Sequence, residues 1–172
     1  MPELTIKLTK REGGRHVTTG VRADGSVTSQ RFTEANARFF VQHDLTHFAV
    51  ETVLGHARGF YGLVTEGWNL SDFNAPWPRG RLPRDIDPTE NFVSLFDSER
   101  ATGRAWTAGE FNAALAQIHA AQPGSPASRP VTETELGKIR AEITRLRAAW
   151  EALPVGDTLE LTFDRANLAP AR

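Results

Sequence analysis

The chain has 172 residues, a formal net charge of -1 at pH 7, 40% hydrophobic and 24% charged residues, and no cysteine. This composition predicts one globular domain with its own core, and the near-neutral charge argues against nucleic-acid binding, which needs an excess of Lys and Arg. The lack of cysteine excludes disulfides, thiolate catalysis and Cys-ligated zinc, so any metal site must use His, Asp or Glu.

The first segment is predicted to form an antiparallel meander of three strands. Leu4, Ile6 and Leu8 alternate with polar residues, which is the period-two pattern of a strand with one buried face. Gly13-Gly14 and Asp24-Gly25 mark two turns, and the Asp-Gly pair is typical of a tight hairpin. The second and third strands are therefore expected at residues 16–21 and 26–32.

The same alternation at the N-terminus replaces the apolar run that a signal peptide would need. No stretch of the sequence approaches the ~20 consecutive apolar residues of a membrane-spanning helix. We therefore expect a cytoplasmic protein that does not contact the membrane.

A long helix is predicted next, from about Glu34 to Leu54. Thr33 is its expected N-cap, and Gly55 is a natural end. An aromatic, glycine-rich stretch follows, which we expect to fold back over the core and to contain one short helix near residues 60–65.

Three later helices have recognisable starts. Asp87-Pro88-Thr89-Glu90 combines a capping aspartate, a proline at the first helical position and a glutamate at the third, and opens a helix to about Arg100. Thr107 with Glu110 and Thr132 with Glu135 form two capping boxes. Apolar pairs that can pack across these boxes are Trp106 with Phe111 and Val131 with Leu136.

The last helix has an apolar stripe that something must cover. Its members recur at spacings of three and four: Leu136, Ile139, Ile143, Leu146, Trp150 and Leu153. We expect this face to pack on the protein's own sheet, and the alternative is a homodimer through Leu136–Leu153. The TLELTF segment that follows is predicted to be a strand that joins the N-terminal sheet.

These elements together predict an α+β fold in a single domain, residues 1–172. A small antiparallel sheet, made of the meander and the C-terminal strand, is expected to pack against about four helices. The expected divisions are the β-meander at 1–32, a helical region with the aromatic loop at 33–122, a flexible proline- and serine-rich connector at 123–130, and the last helix and strand at 131–172.

The chemistry of the chain is concentrated in one segment, FVQHDLTHFAVE, residues 40–51. On a helix, His43, His47, Glu51 and Asp44 fall within an arc of about 100° that also carries apolar residues. Because burying an unpartnered charge is costly, these groups must be paired, neutralised or bound to a metal. Histidines at i and i+4 can both ligate one ion, and a carboxylate can supply a third ligand.

The HDLTH spacing resembles the HExxH helix of zinc metallohydrolases. The resemblance implies that His43 and His47 bind the metal and that Asp44 replaces the glutamate that acts as general base, with a side chain one methylene shorter. In one branch of those enzymes a later glutamate completes the site, and Glu66 stands in that place. Zinc is the favoured ion, with iron or manganese as alternatives for a His-and-carboxylate set.

Two other families share part of this pattern. A family of ubiquinone-biosynthesis proteins has a similar HDxxH helix, but the glutamate that its motif needs further along corresponds to Gly59 here. HD-type phosphohydrolases also carry a helical His-Asp pair, as His43-Asp44 does. They need another helical histidine upstream, however, and His16 lies in a predicted strand.

Two functions follow as hypotheses. The first is a metal-dependent hydrolase for a small-molecule or peptide substrate, with His43, His47 and Glu51 or Glu66 as metal ligands and the remaining carboxylate, Asp44 or Glu51, activating water. The second is a non-enzymatic α+β protein in which these groups form a buried structural network and another surface binds a partner. Phosphate-ester chemistry is a third, which rests on the His-Asp pair alone.

An aromatic cluster could cover the site and exclude water: Phe60, Tyr61, Trp68, Phe73 and Trp77.

Overall fold

The computed structural model describes residues 3–33 and 35–168. They form an α+β fold, which confirms the predicted class. The strands are β1 (Leu4–Lys10), β2 (His16–Arg22), β3 (Val27–Phe32) and β4 (Thr158–Phe163). The helices are α1 (Ala37–Leu54), α2 (Phe60–Thr65), α3 (Thr89–Thr102), α4 (Ala108–Ala121) and α5 (Glu133–Ala152). Three short 3-10 turns lie at Glu12–Gly14, Leu70–Phe73 and Arg165–Asn167.

The four strands form one antiparallel sheet in the order β3-β2-β1-β4. Leu4 of β1 lies opposite Arg22 of β2 on one side and opposite Phe163 of β4 on the other. The C-terminal strand therefore joins the N-terminal meander, as predicted. The alternating side chains of Leu4, Ile6 and Leu8 are buried on the face that meets the helices.

Helix α1 is the centre of the fold. It packs against α3 and α5, and every side chain from Asp44 to Glu51 is buried. Thr46 and Ala49 lie outside the arc of ionisable groups, yet they are buried too, so the helix is enclosed on all sides over these two turns. The polar groups of α1 therefore lie inside the protein.

The sequence predicts the end of α1 correctly but not its start. Gly55 ends the helix in the left-handed region at φ 73°, as expected. At the start, the predicted Thr33 cap is wrong, because the helix begins at Ala37 and the carbonyl of Asn36 accepts the first amide bonds. Glu34, the predicted first residue, lies outside the described residues.

The other helix starts follow the sequence except at α3. Both capping boxes form, from Thr107 with Glu110 and from Thr132 with Glu135. The proposed cap of α3 is wrong: the carboxylate of Asp87 accepts the backbone amide of Arg58 at 2.7 Å, and no side chain caps the helix. A tertiary contact to the loop after α1 takes the place of the local cap.

The apolar stripe of α5 is covered within the chain. Leu136, Ile139, Ile143, Leu146 and Trp150 are buried, and the helix packs mainly against α1. The end of α5 also meets the sheet as predicted, because the ring of Trp150 lies edge to face on His16 of β2, with centroids 6.1 Å apart. A homodimer through Leu136–Leu153 stays a prediction. The connector at 123–130 contains no helix or strand, and its mobility also stays a prediction. Within the described ranges, none of the helices is both long enough and apolar enough to span a membrane.

Candidate metal centre

Three side chains from two helices lie together on the wall of a cavity. His43 and His47 project from α1, and Glu90 projects from the first turn of α3. One potential ligand atom from each lies within 4.8 Å of the other two. The Nε2 atoms of the histidines are 3.2 Å apart, and Oε2 of Glu90 is 3.0 Å from Nε2 of His47 and 3.8 Å from Nε2 of His43.

This triangle has the dimensions of one face of a metal coordination shell. Ligand atoms about 2.0 to 2.2 Å from a divalent ion, at tetrahedral or octahedral angles, lie roughly 2.9 to 3.6 Å from each other. Two of the three observed separations, 3.0 and 3.2 Å, lie in that range, and the third, 3.8 Å, is slightly longer. Two imidazoles and a carboxylate are also a donor set that zinc, iron and manganese accept. The group can therefore hold a metal ion.

His43 is oriented by a carboxylate behind it. Its Nδ1 lies 2.7 Å from Oδ2 of Asp97 on α3, and the other oxygen of Asp97 accepts a hydrogen bond from Arg100 at 3.1 Å. When Nδ1 carries the proton and donates it to Asp97, the lone pair of Nε2 points at the cluster. A carboxylate in this position is the usual outer partner of a metal-binding histidine.

His47 also has a carboxylate behind it, at a longer distance. Oε1 of Glu51 lies 3.6 Å from Nδ1 of His47, which is beyond a normal hydrogen bond. Burial opposes protonation of His47, but Glu51 on one side and Glu90 on the other outweigh it and raise its pKa to about 10. The two glutamates thus act on opposite nitrogens of one ring.

Glu51 is fixed by the start of α2. Its carboxylate accepts the backbone amides of Tyr61, at 3.1 and 3.2 Å, and of Gly62, at 3.2 Å. These amides belong to the first turn of α2, where a negative charge is favoured. The close approach requires Gly59, because a Cβ there would lie 2.6 Å from the carboxylate carbon of Glu51.

Asp44 is the other acidic group of α1 in this region. Its side chain is buried and lines the same cavity as the two histidines. Burial raises the pKa of Asp44 to about 6, against the opposing attraction of His43 and His47. A carboxyl group with this pKa exchanges protons near neutral pH.

The cluster opens into a cavity of about 350 Å³. Its walls are mainly aromatic and aliphatic, and they include Phe40, Phe60, Leu63, Leu70 and Phe73. Two exposed apolar side chains, Trp77 and Leu82, line it from the loop before α3. A cavity of this size, largely apolar with a few polar groups on its wall, is typical of a small-molecule site.

The structure brings together part of the predicted set. His43 and His47 lie with Glu90, while Asp44 lines the adjoining wall and Glu51 contacts the far side of His47. Glu66 is held elsewhere, because its two oxygens accept hydrogen bonds from Arg58 at 2.9 and 3.0 Å. Neither Glu51 nor Glu66 is therefore part of the group of three potential ligands.

The aromatic roof is present in part. Phe60, Phe73 and Trp77 line the cavity, whereas Tyr61 and Trp68 are buried and do not line it. Because it follows Gly55 directly, His56 is expected from the sequence to be a capping or surface residue. It is instead buried, with Nδ1 2.9 Å from the hydroxyl of Thr89.

Two residues of the site were missed, Glu90 and Asp97. The sequence pattern gives Glu90 a role only at the start of a helix and gives Asp97 no role. The two are seven residues apart on α3, which places them about 20° apart on the same helix face as the buried Val93. Acids on the apolar face of an amphipathic helix were the same signal that singled out α1.

Comparison with known proteins does not assign this arrangement to a family. No protein-family model matches the chain, and searches of the curated proteins and of the solved structures give no match either.

Proposed function

We propose that the protein is a divalent-metal-dependent hydrolase whose ion is held by His43, His47 and Glu90. The observation that carries the proposal is the triangle of Nε2, Nε2 and Oε2 atoms, with edges of 3.2, 3.0 and 3.8 Å, at the end of an apolar cavity. A site with three protein ligands leaves coordination positions open for water and substrate, which is the arrangement of catalytic rather than structural zinc sites.

A bound divalent ion supplies Lewis acidity to a substrate oxygen and acidifies a water molecule. Asp44 is the residue that we assign as general base. It lines the cavity beside both histidines, is shielded from bulk solvent, and belongs to the same helix, so its distance from them is fixed. Asp44 would accept a proton from the attacking water and pass it to the leaving group as the scissile bond breaks.

The remaining side chains have positioning roles in this proposal. Asp97 orients His43, and Glu51 places a negative charge 3.6 Å from Nδ1 of His47 while it accepts hydrogen bonds from the start of α2. Zinc is the ion that we favour, and iron(II) or manganese(II) are the alternatives that two imidazoles and a carboxylate allow.

The proposal is tested with tag-free protein stripped by a chelator and reloaded with zinc, manganese(II) or iron(II). Uncharged aryl esters and amides are the substrates. We expect hydrolysis only after reloading, and we expect Asp44→Asn to keep the metal but lose at least about 100-fold in kcat. Glu160→Gln, a change at an exposed carboxylate on β4, is the control. Full activity in stripped protein, or in Asp44→Asn, would contradict the proposal.

A second candidate is a structural polar network in a protein without catalytic activity. It is favoured by the position of His47 between two carboxylates, where a proton in place of a metal ion balances the charge. In that case the tag-free protein would bind none of the three ions tightly, and His43→Ala with His47→Ala would reduce stability. Stoichiometric metal that this double variant loses while staying folded favours the hydrolase.

A further inference from the structure

The charges around the cavity restrict what it can bind. Among the lining residues that the structure describes, Arg58 is the single lysine or arginine. Arg79, Arg81 and Arg84 belong to the loop that precedes α3, but none of them lines the cavity. Arg79 instead donates to the carbonyl of Gly67 at 2.7 Å and lies over the ring of Trp68.

The guanidinium of Arg58 already has carboxylate partners. Glu66 accepts two parallel hydrogen bonds from Nε and Nη2, and Asp85 accepts from Nη1 through its backbone oxygen at 3.2 Å and pairs with it through its carboxylate. A bidentate pair of this kind is the strong form of an arginine contact. An anionic substrate would have to displace it to use Arg58.

The carboxylates near the cluster outnumber the charges of a divalent ion. Asp44, Asp87 and Glu90 line the cavity, and Glu51 lies directly behind His47. These four acidic groups can offset the two positive charges that the ion brings, and Arg58 is neutralised by its own partners. A ligand with a negative charge would therefore lose its hydration and meet repulsion in a largely apolar space.

The residues that line the cavity favour a ligand whose larger part is apolar. Phe60 and Phe73 pack edge to face with centroids 4.6 Å apart, and Phe60 also lies 5.1 Å from the ring of His47. This places an aromatic surface directly beside the metal-binding group. The amide side chains of Gln30 and Asn74 are further polar groups on the wall, and both are uncharged.

We infer that the substrate is a molecule with an aromatic or aliphatic body and no negative charge. The inference rests on the proposed function, because it names the substrate class of the same site. An uncharged or cationic polar group would lie at the cluster, and the apolar body would lie between the aromatic walls.

The test uses three probes of equal shape that differ in one group: 2-naphthalenemethanol, 2-naphthylmethylamine and 2-naphthoate. Binding is followed by protein NMR through the indole N–H of Trp77 and the amides of the cavity wall. We expect the alcohol and the amine to bind at least about tenfold more tightly than the carboxylate. A carboxylate that binds as tightly as the alcohol, or three probes that leave the cavity signals unchanged, would overturn the inference.

A variant tests the role assigned to Arg58. Glu66→Gln removes the bidentate partner and should raise the affinity for 2-naphthoate about three- to tenfold while leaving that for 2-naphthalenemethanol unchanged. Glu160→Gln, which alters an exposed carboxylate on β4 beside Lys7, is the matched control and should change neither affinity. An unchanged affinity for 2-naphthoate in Glu66→Gln would count against the explanation.

The measurements are made on metal-loaded and on chelator-stripped protein, so that this inference and the proposed function can fail separately. The stripped protein lacks the positive charge of the ion, and we expect its preference against 2-naphthoate to increase. If the probes bind selectively but no metal supports hydrolysis, the proposed hydrolase activity is rejected and the inferred ligand class is retained. Hydrolysis together with tight 2-naphthoate binding would reject the ligand class alone.

Discussion

The two sides of His47 differ although a glutamate faces each. On the inner side, Glu51 is fully buried and accepts backbone amides from the start of α2. On the outer side, the side chain of Glu90 is 67% exposed and is directed at Nε2 of His47. The inner glutamate is held by the fold, whereas the outer one is held mainly by the histidines that it faces.

This difference separates stability from ligand binding. Removal of Glu51 leaves buried amides without acceptors, which costs free energy of unfolding whether or not a metal is present. Removal of Glu90 costs the fold little, because an exposed carboxylate keeps its hydration in either state. Substitutions of Glu51, Glu90 and Asp97 separate the two roles, and His16 provides a comparison with His47.

Glu51→Ala should be the most destabilising change. The backbone amides of Tyr61 and Gly62 would lose their acceptor and a small cavity would remain, so we expect a loss of about 3 to 4 kcal/mol in the free energy of unfolding. Urea denaturation followed by circular dichroism measures it. Glu151→Ala, a change at an exposed residue of α5, is the control. A loss below about 1 kcal/mol would show that Glu51 does not anchor α2.

Glu90→Gln should act on the metal and spare the fold. We expect the dissociation constant for zinc to rise at least about 100-fold, equivalent to about 2.7 kcal/mol, with a change in unfolding free energy within about 0.5 kcal/mol. Competition with a chromogenic chelator measures the affinity. Glu66→Gln is the matched control, and if it weakened zinc binding as much as Glu90→Gln, the ligand set would be wrong.

Asp97→Asn should have a smaller effect on the metal than Glu90→Gln. The amide is close in shape, but it binds Nδ1 of His43 less strongly and does not enforce its tautomer. We expect zinc affinity to fall about 10- to 100-fold, measured by the same chelator competition. An unchanged affinity would mean that Asp97 accepts the hydrogen bond from Arg100 but does not orient His43 for metal binding.

His16 offers a contrast with His47 through pH. Its ring is buried, stacks on Phe32 with centroids 4.4 Å apart, and has no hydrogen-bond partner at either nitrogen among the described residues. Burial lowers its pKa from 6.5 to about 4. The unfolded chain therefore binds the proton more readily, so this contribution to stability is complete above pH 6.5 and is lost as the pH falls towards 4.

His16→Phe should remove that pH dependence while keeping the stacking on Phe32. Between pH 7 and pH 5 we expect the natural protein to lose on the order of 1 to 2 kcal/mol more unfolding free energy than the variant. Urea denaturation of both proteins at several pH values gives the difference. Parallel stability curves would show that His16 is not held in its neutral form.

The sequence was informative wherever local patterns decide the structure. The capping boxes at Thr107 and Thr132 form, the stripe of α5 is buried, and α2 spans the predicted residues 60–65. Each of these features depends on residues within a few positions of one another, so the pattern can be read without knowledge of the tertiary structure.

The site could be predicted only in part, because half of it depends on how α3 packs on α1. His43 and His47 share one helix, and their spacing alone predicts that they act together. Glu90 is brought to them from more than 40 residues away, and its position on the same helix face as Val93 does not tell which element that face meets. The predicted cap at Asp87 failed for the same reason, since a tertiary bond to Arg58 replaced it.

The central claim is that His43, His47 and Glu90 bind one divalent ion. It is tested most directly by anomalous X-ray diffraction at the zinc edge from crystals of tag-free, zinc-loaded protein. We predict one strong peak about 2.0 to 2.2 Å from Nε2 of both histidines and from a carboxylate oxygen of Glu90. Zinc bound at Glu66 or Glu51 instead, or no peak between α1 and α3, would contradict the claim.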